Sequence, residues 1–305
     1  MRMTLTSRLI LGSARLTGGA SEGEALALVR AALDAGVGQV DTAPSYGMGT
    51  AEQVVGKALV RFGGPVRVTA KLGSARDPNS YGKSMLRRMK RALGGSRTAP
   101  WDQHEAPPAQ LNAGSGNDFS PAFLHTSLAA SHDRLGRIDH LLLHDIAASE
   151  VTPPLLADLA GLARSVSATP GYASRAQWDS GLDARFAPGT TVQCAMAPQW
   201  FADGPLPALD GPLFLHSVIK AGALLRARSP RFSEGLDRAA RVVGSGDSDA
   251  DRIAALYAIA GSRAPHARLI IASSHRERLL AVLGAIARID HSASAAEIAA
   301  CFQAG

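Results

Sequence analysis

The feature that most constrains this chain is an alternation along its length. Short runs rich in β-branched and other apolar residues are followed by longer stretches with apolar positions at helical spacing. Residues 9–13, 37–42, 66–71, 138–144, 163–168, 191–196, 213–218 and 268–273 read as eight strands. Between them, residues 22–35 put Ala25, Leu26, Leu28, Val29, Ala32 and Leu33 on one helical face and stop at Gly36. Residues 52–61 and 121–135 also read as helices. Strands apolar on both faces, each followed by a helix, suit a parallel sheet covered by helices. Eight such units in 305 residues predict a (β/α)8 TIM barrel, a single domain over residues 1–305. The competing doubly wound sheet is expected to carry a glycine fingerprint after its first strand. No GxGxxG occurs, and Gly244 and Gly246 in VGSGDS lack both the third glycine and a preceding strand. The alternation breaks over residues 94–118, where Gly, Ser, Pro, Ala, Gln and Asn dominate, and this stretch is expected to be a long mobile loop.

Composition removes several classes of function. The chain has no apolar run of about eighteen residues and no signal-like start, so membrane and secreted readings are set aside and a cytoplasmic location is expected. Cys194 and Cys301, the two cysteines, make neither a disulfide scaffold nor a CxxC zinc site. Lys and Arg total 32 against 26 Asp and Glu, a net charge of +6. The basic residues are scattered, the densest group being Arg87, Arg88, Lys90 and Arg91, so nucleic acid is not an expected partner. An anionic cofactor or substrate accounts for the sign of the charge.

In a barrel of this type, reactive side chains lie where the strands end. The second, third and fourth strands close on Asp41, Lys71 and His144. An unpaired charge inside a protein costs several kcal/mol, which Asp41 and Lys71 on neighbouring strands can relieve by pairing. The loop APSYGMG after Asp41 carries Tyr46, with Gly47 and Gly49 allowing a tight turn over the barrel mouth. A phenol near pKa 10 is a poor proton donor at neutral pH. The Lys71 ammonium is expected to lower that value, while His144 donates a hydrogen bond to a carbonyl oxygen as charge builds there. Such a set suits reduction of a C=O or oxidation of an alcohol.

Other chemistries fit less well. His140 and His144 have i, i+4 spacing, but on a strand they stand about 13 Å apart, so no metal site is expected. Ser167, Ser273 and Ser274 lack a His and Asp arrangement for acyl transfer. Two alternatives remain open: a lyase using Lys71 as a Schiff-base nucleophile, which needs a neutral amine, and a non-catalytic barrel that binds a nicotinamide or other ligand.

The segments AALDAGVGQVDTAPSYGMGTAEQVVGKAL, VRVTAKLG and SLAASHDRLGRIDHLLLHD carry a family resemblance. Together they make the chain resemble the aldo/keto reductases, and the DTAPxYGxG and LLxHD forms look most like the bacterial branch containing aldose 1-dehydrogenases and pyridoxal dehydrogenase. The resemblance implies that Asp41, Tyr46, Lys71 and His144 match the family's catalytic tetrad, with Tyr46 as general acid in reduction and phenolate base in oxidation. It also implies a nicotinamide dinucleotide cofactor, NADP(H) favoured and NAD(H) left open, and a small aldehyde, ketone or sugar as substrate. Gln193 would hold the carboxamide, Ser217 and Gly222 would follow the pyrophosphate, and Ser273, Ser274 and Arg278 would grip the adenosine phosphate. The chain departs from the family pattern in three places. SVSAT stands where strand five usually ends in GxSN, keeping Ser167 with Ala168 in the amide position. His216 takes the place of an aromatic stacked on the nicotinamide, and Ala272 that of a basic residue. For a wall of the substrate pocket, Trp101, Trp178, Trp200, Phe201 and Tyr172 are the candidates.

Overall fold

The computed structural model describes residues 4–16, 21–74, 117–202, 204, 206–291 and 294–302. Eight parallel strands close into a barrel in chain order: β1 (Leu9–Gly12), β2 (Gln39–Asp41), β3 (Arg67–Leu72), β4 (His140–His144), β5 (Thr169–Ala173), β6 (Thr191–Ala195), β7 (Leu213–His216) and β8 (Arg268–Ile271). The expected TIM barrel is the observed fold. The expected loop over residues 94–118 lies, apart from Asn117 and Asp118, outside the described residues, as does Trp101.

Local chemistry sets the helices. Ser21 caps α1 (Glu22–Asp34) in a capping box: its hydroxyl accepts from Glu24 N–H at 3.2 Å, and the Glu24 carboxylate accepts from Ser21 N–H at 2.7 Å. Helices α2 (Ala51–Phe62) and α3 (Pro121–Leu135) end on Gly63 and Gly136, whose φ of 67° and 73° suit a residue without Cβ. Buried Glu52 locks these two helices together. It accepts from Ser131 Oγ at 2.9 Å and pairs with Arg134 Nε at 2.8 Å.

One strand lies elsewhere than expected. Residues 163–168 finish α4 (Pro153–Ser165) and its turn, where Ser167 adopts φ 57°. Leu155, Leu159, Leu162 and Ala163 form the buried face of that helix, and its period overrides the brief alternation of SVSA. The true fifth strand, TPGYA, contains proline and glycine, residues that are depleted in strands. Gly171 is required by space, since a Cβ there would come within 2.1 Å of the Thr191 carbonyl oxygen on β6. Ser167 therefore sits before β5, at the opposite end of the barrel from the position that its expected role requires.

Alternate residues of the strands divide the core. Leu9, Leu11, Leu215, Leu269 and Ile271 pack outward against the helices, while Ile10, Phe214 and Ile270 form a separate small cluster within the barrel. Beside that cluster Gln39 Nε2 donates to Thr69 Oγ1 at 3.0 Å, and His140 Nδ1 lies 2.9 Å from Thr191 Oγ1. The loop after β6 leads into β7, which is followed by α6 (Val218–Arg228), α7 (Pro230–Val243) and α8 (Asp249–Arg263); the short α5 (Ser180–Asp183) precedes β6. Helices α9 (Arg276–His291) and α10 (Ser294–Ala300) follow β8. None of the described helices is long and apolar enough to cross a membrane.

Candidate active site

Asp41 and Lys71 meet at the C-terminal end of β2 and β3. Lys71 Nζ lies 2.6 Å from both carboxylate oxygens of Asp41 and 3.5 Å from the Thr42 carbonyl oxygen. Lys71 is fully buried and Asp41 is 3% exposed. Tyr46 opens a single 3-10 turn, Tyr46–Gly49, in which Gly47 and Gly49 take φ of 56° and 83°. Ser45 Oγ, 3.0 Å from Ser74 Oγ, ties that loop to the end of β3. The Lys71 ammonium stands 4.7 Å from the centre of the Tyr46 ring. Tyr46 OH is 3.5 Å from His144 Nε2, and the two rings meet edge to face. The structure thus gathers the four predicted residues into one cluster. Asp145 lies 3.6 Å from the same His144 Nε2 and pairs with Arg175 at 2.5 Å.

The electrostatics differ from the expectation at one point. Burial raises the Tyr46 pKa above its ordinary value and outweighs the lowering by Lys71, with Asp41 adding to the rise. Burial works against the charge on Lys71, but Asp41 and then Tyr46 hold its pKa above the ordinary value. Burial, reinforced by Lys71, Arg175 and His216, keeps His144 well below the usual imidazole range. At neutral pH the cluster therefore holds an ammonium, a protonated phenol and a neutral imidazole. A lysine held charged by its neighbours is a poor Schiff-base nucleophile, which disfavours the lyase alternative.

The residues assigned to cofactor contacts fall into two groups. Gln193 on β6 is level with His144 through their shared neighbour Ala173, and its buried Oε1 has no partner. His216 Nε2 donates to the Ser174 carbonyl oxygen at 2.8 Å, leaving Nδ1 to accept from Ser217 Oγ at 2.9 Å. Ser217, at φ 61°, is the N-cap residue of α6. Ser273 Oγ accepts from His275 N–H at 3.1 Å in the turn before α9, and Ser274 is half-buried beside it. Arg278, in the first turn of α9, has a buried Nη2 without a partner. These residues share the Tyr46 end of the barrel.

Gly222 and Ser167 do not join them. Gly222 lies in the second turn of α6 with its Cα against α8, where a Cβ would come within 2.6 Å of Leu256. Its smallness is used for helix packing. Ser167 is excluded by the position of β5. Among the suggested aromatic walls, Phe201 packs on Phe232 of α7, and Trp200 is buried in the same turn. Tyr172 is buried and donates to Asp183 at 3.1 Å. Trp178 remains partly buried in the loop after β5, its indole nitrogen unpartnered.

Sequence reasoning passed over Arg15. It closes the 3-10 turn Ser13–Arg15 that follows β1 and is half-buried, and burial followed by the nearby Arg278 charge lowers its pKa. Its signal was position, a basic residue just beyond a strand end, in the one early strand whose last residue is not ionisable. Seven buried side-chain polar atoms among the described residues lack a hydrogen-bond partner. Six of them, on Ser13, Thr42, His144, Trp178, Gln193 and Arg278, belong to this end of the barrel. Buried polar atoms are ordinarily paired, so such a concentration marks a surface shaped for a ligand. Among the described residues no group of three or more His, Cys, Asp or Glu is placed to hold a metal ion.

Known proteins share this architecture. The chain is 43% identical to aldo-keto reductase YhdN of Bacillus subtilis over 61 residues, a match that covers 19% of this chain and 18% of that relative. The solved glycerol dehydrogenase of Gluconobacter oxydans superposes with a TM-score of 0.61 at 18% identity, covering 90% of this chain and 85% of that one. The holo form of an aldo-keto reductase of Bacillus halodurans gives 0.59 at 17% identity, over 92% and 86% of the two chains. The Aldo/keto reductase family model matches residues 8–168, a span that contains Asp41, Tyr46, Lys71 and His144. With more than half its length matched, the chain belongs to the aldo/keto reductase family.

Proposed function

We propose that this protein is an NAD(P)(H)-dependent oxidoreductase that moves a hydride between the cofactor and a small carbonyl or alcohol, with Tyr46 as the proton donor and acceptor. The observation that carries this reading is the convergence of Tyr46 on the Lys71–Asp41 pair and on His144. The unpartnered Gln193 Oε1 fits a carboxamide, and Arg278 with Arg15 fits a phosphate at the far end of the same molecule. The N-terminus of α6 beyond Ser217 suits a pyrophosphate between them.

A bound nicotinamide dinucleotide supplies the hydride in reduction and takes it up in oxidation. Tyr46 keeps its proton at neutral pH and gives it to the carbonyl oxygen of the substrate. The Lys71 cation steadies the phenolate left behind, and Asp41 holds that cation in place. Neutral His144 offers an N–H to the same oxygen, orienting the substrate without an imidazolium competing for the proton. His216, fixed between Ser174 and Ser217, would present its ring to the nicotinamide.

Two guanidinium groups favour NADP(H), because each can hold a 2′-phosphate through paired N–H donors. The test is a fluorescence titration with NADPH and NADH, followed by absorbance assays with aldehydes, ketones and sugars. Aldoses and pyridoxal come first, given the resemblance of the DTAPxYGxG and LLxHD motifs to that branch. Arg278→Gln should weaken NADPH more than NADH. Failure of the protein to bind either cofactor would overturn the proposal.

A further inference from the structure

The opposite end of the barrel carries a second charged site that hydride transfer does not use. A cavity of about 340 Å³ opens at the N-terminal mouth, lined by Ser7, Gly38, Arg67, Arg137 and Arg268 among others, with no acidic residue among the described residues of its wall. Its volume falls at the lower end of the range for small-ligand pockets, roughly 300–1,000 Å³. Arg67 begins β3 and Arg268 begins β8, so alternation turns both toward the mouth. Gly38, whose missing Cβ would meet nothing within 4 Å, leaves the approach open.

The positive charges there are only partly answered. Asp139 is committed to Arg137, at 3.0 Å from its Nε, and also accepts from Val68 N–H at 2.8 Å. Asp290, near the chain start, is filled by Leu5 N–H, Thr6 N–H and Thr6 Oγ1. Arg8 spends its donors on the carbonyl oxygens of Gly261, Ala264 and Ala267. Among the described residues the Arg268 guanidinium reaches only the Ser7 carbonyl oxygen, at 3.4 Å, and Arg67 bonds through its backbone N–H to the Gly38 carbonyl oxygen while its side chain has neither hydrogen bond nor ion pair. Burial and then the charge of Arg67 lower the pKa of Arg268, and Arg268 in turn lowers that of buried Arg8. Arg67 and Arg268 thus set two like charges at one mouth with no carboxylate paired to either among the described residues, a charge that a dianion would complement.

We infer that the N-terminal mouth of the barrel binds a phosphate group between Arg67 and Arg268, with Arg137 at its edge. A phosphate monoester carries a charge of about −1.5 to −2 at neutral pH, which matches the two unanswered charges, and its oxygens accept the paired donors that a guanidinium presents. The group is either free inorganic phosphate or the phosphoryl end of a small metabolite. This site is separate from the Tyr46 cluster and does not depend on the reading of that cluster.

The test is thermal unfolding of the full chain at constant ionic strength, with chloride replaced by inorganic phosphate or by glycerol phosphate. Parallel samples carry Arg67→Gln, Arg268→Gln or Arg278→Gln. A saturating phosphate is expected to raise Tm by roughly 2–5 °C. That rise should persist in Arg278→Gln, whose side chain is at the other end of the barrel, and be lost in Arg67→Gln. Arg67 is exposed, so its replacement leaves the fold and basal turnover intact even where Arg268→Gln unfolds. A rise with both compounds assigns the site to a phosphoryl group in general, and a rise with inorganic phosphate alone assigns it to the free ion; both support the inference. No rise, an equal rise in wild type and Arg67→Gln, or a rise lost only in Arg278→Gln would overturn it.

Discussion

Tyr46 keeps its proton because the surroundings that aim it at His144 also shield it in part from water. Lys71 eases ionisation, yet burial prevails. In the proposed mechanism this makes the phenol a ready donor for carbonyl reduction across neutral pH, whereas alcohol oxidation needs the phenolate. The oxidation rate is expected to climb with pH and to go on climbing beyond the phenol's ordinary value near 10, while reduction stays flat across neutral pH. Tyr46→Phe should cut turnover by about 10²-fold or more in both directions and abolish the climb, with cofactor affinity nearly unchanged. Turnover equal to wild type would remove Tyr46 from the mechanism. Lys71→Met tests the pair beneath it, since Asp41 would be left as a buried charge without its cation. A loss of about 3–5 kcal/mol is expected from urea unfolding. An unaltered midpoint would show that water reaches Asp41. The four polar residues of this cluster were readable from the sequence because each closes an apolar run or follows one directly. The balance between burial and Lys71 at Tyr46 was not, since it depends on how completely the loop covers the ring.

At the scale of elements, strands and helices with clear periods lie close to their expected bounds, and the exceptions follow from space. Helix α1 is read from the apolar stripe between Ser21 and Gly36, which local capping reinforces. Strand β5 could not be read that way. Its Pro170 and Gly171 argue locally for a turn, and only the neighbouring strands make a strand of them. The displacement of β5 by a few residues then moved Ser167 from one end of the barrel to the other. Gly171→Ala should lower stability by about 1–3 kcal/mol, because the added carbon meets the backbone of β6. Gly284→Ala makes the contrast. Gly284 is an exposed helical position in α9 with nothing within 4 Å of the new Cβ, and alanine there should add about 0.5–1 kcal/mol. Equal midpoints for the two variants would contradict this account of why β5 carries glycine.

Across the whole molecule, the closed barrel surrounds histidine with apolar and basic neighbours, and stability inherits a dependence on pH. Burial, helped by Arg67 and Arg268 against the pull of Asp139, lowers the His140 pKa to about 4. The unfolded chain takes up that proton near 6.5. Between the two values the unfolded state holds more protons, so the contribution of His140 is complete above pH 6.5. It is lost as the pH falls toward 4, by up to about 3 kcal/mol. His144 acts in the same direction. Denaturant midpoints measured across that interval should fall with pH, and His140→Asn should flatten the slope. A slope unchanged in the variant would place the acid sensitivity elsewhere.

The sequence by itself determined the eight-fold alternation, and with it the barrel and the end at which Asp41, Lys71 and His144 emerge. These depend on periods of two and of about 3.6 residues, which are local properties of the chain. Tertiary structure alone decided the place of β5, the retained proton on Tyr46, the packing role of Gly222 and the approach of Arg278 to Arg15. Each of those depends on groups remote in the chain that come close only when the barrel closes, so steric fit and electrostatic environment decide what local pattern leaves open.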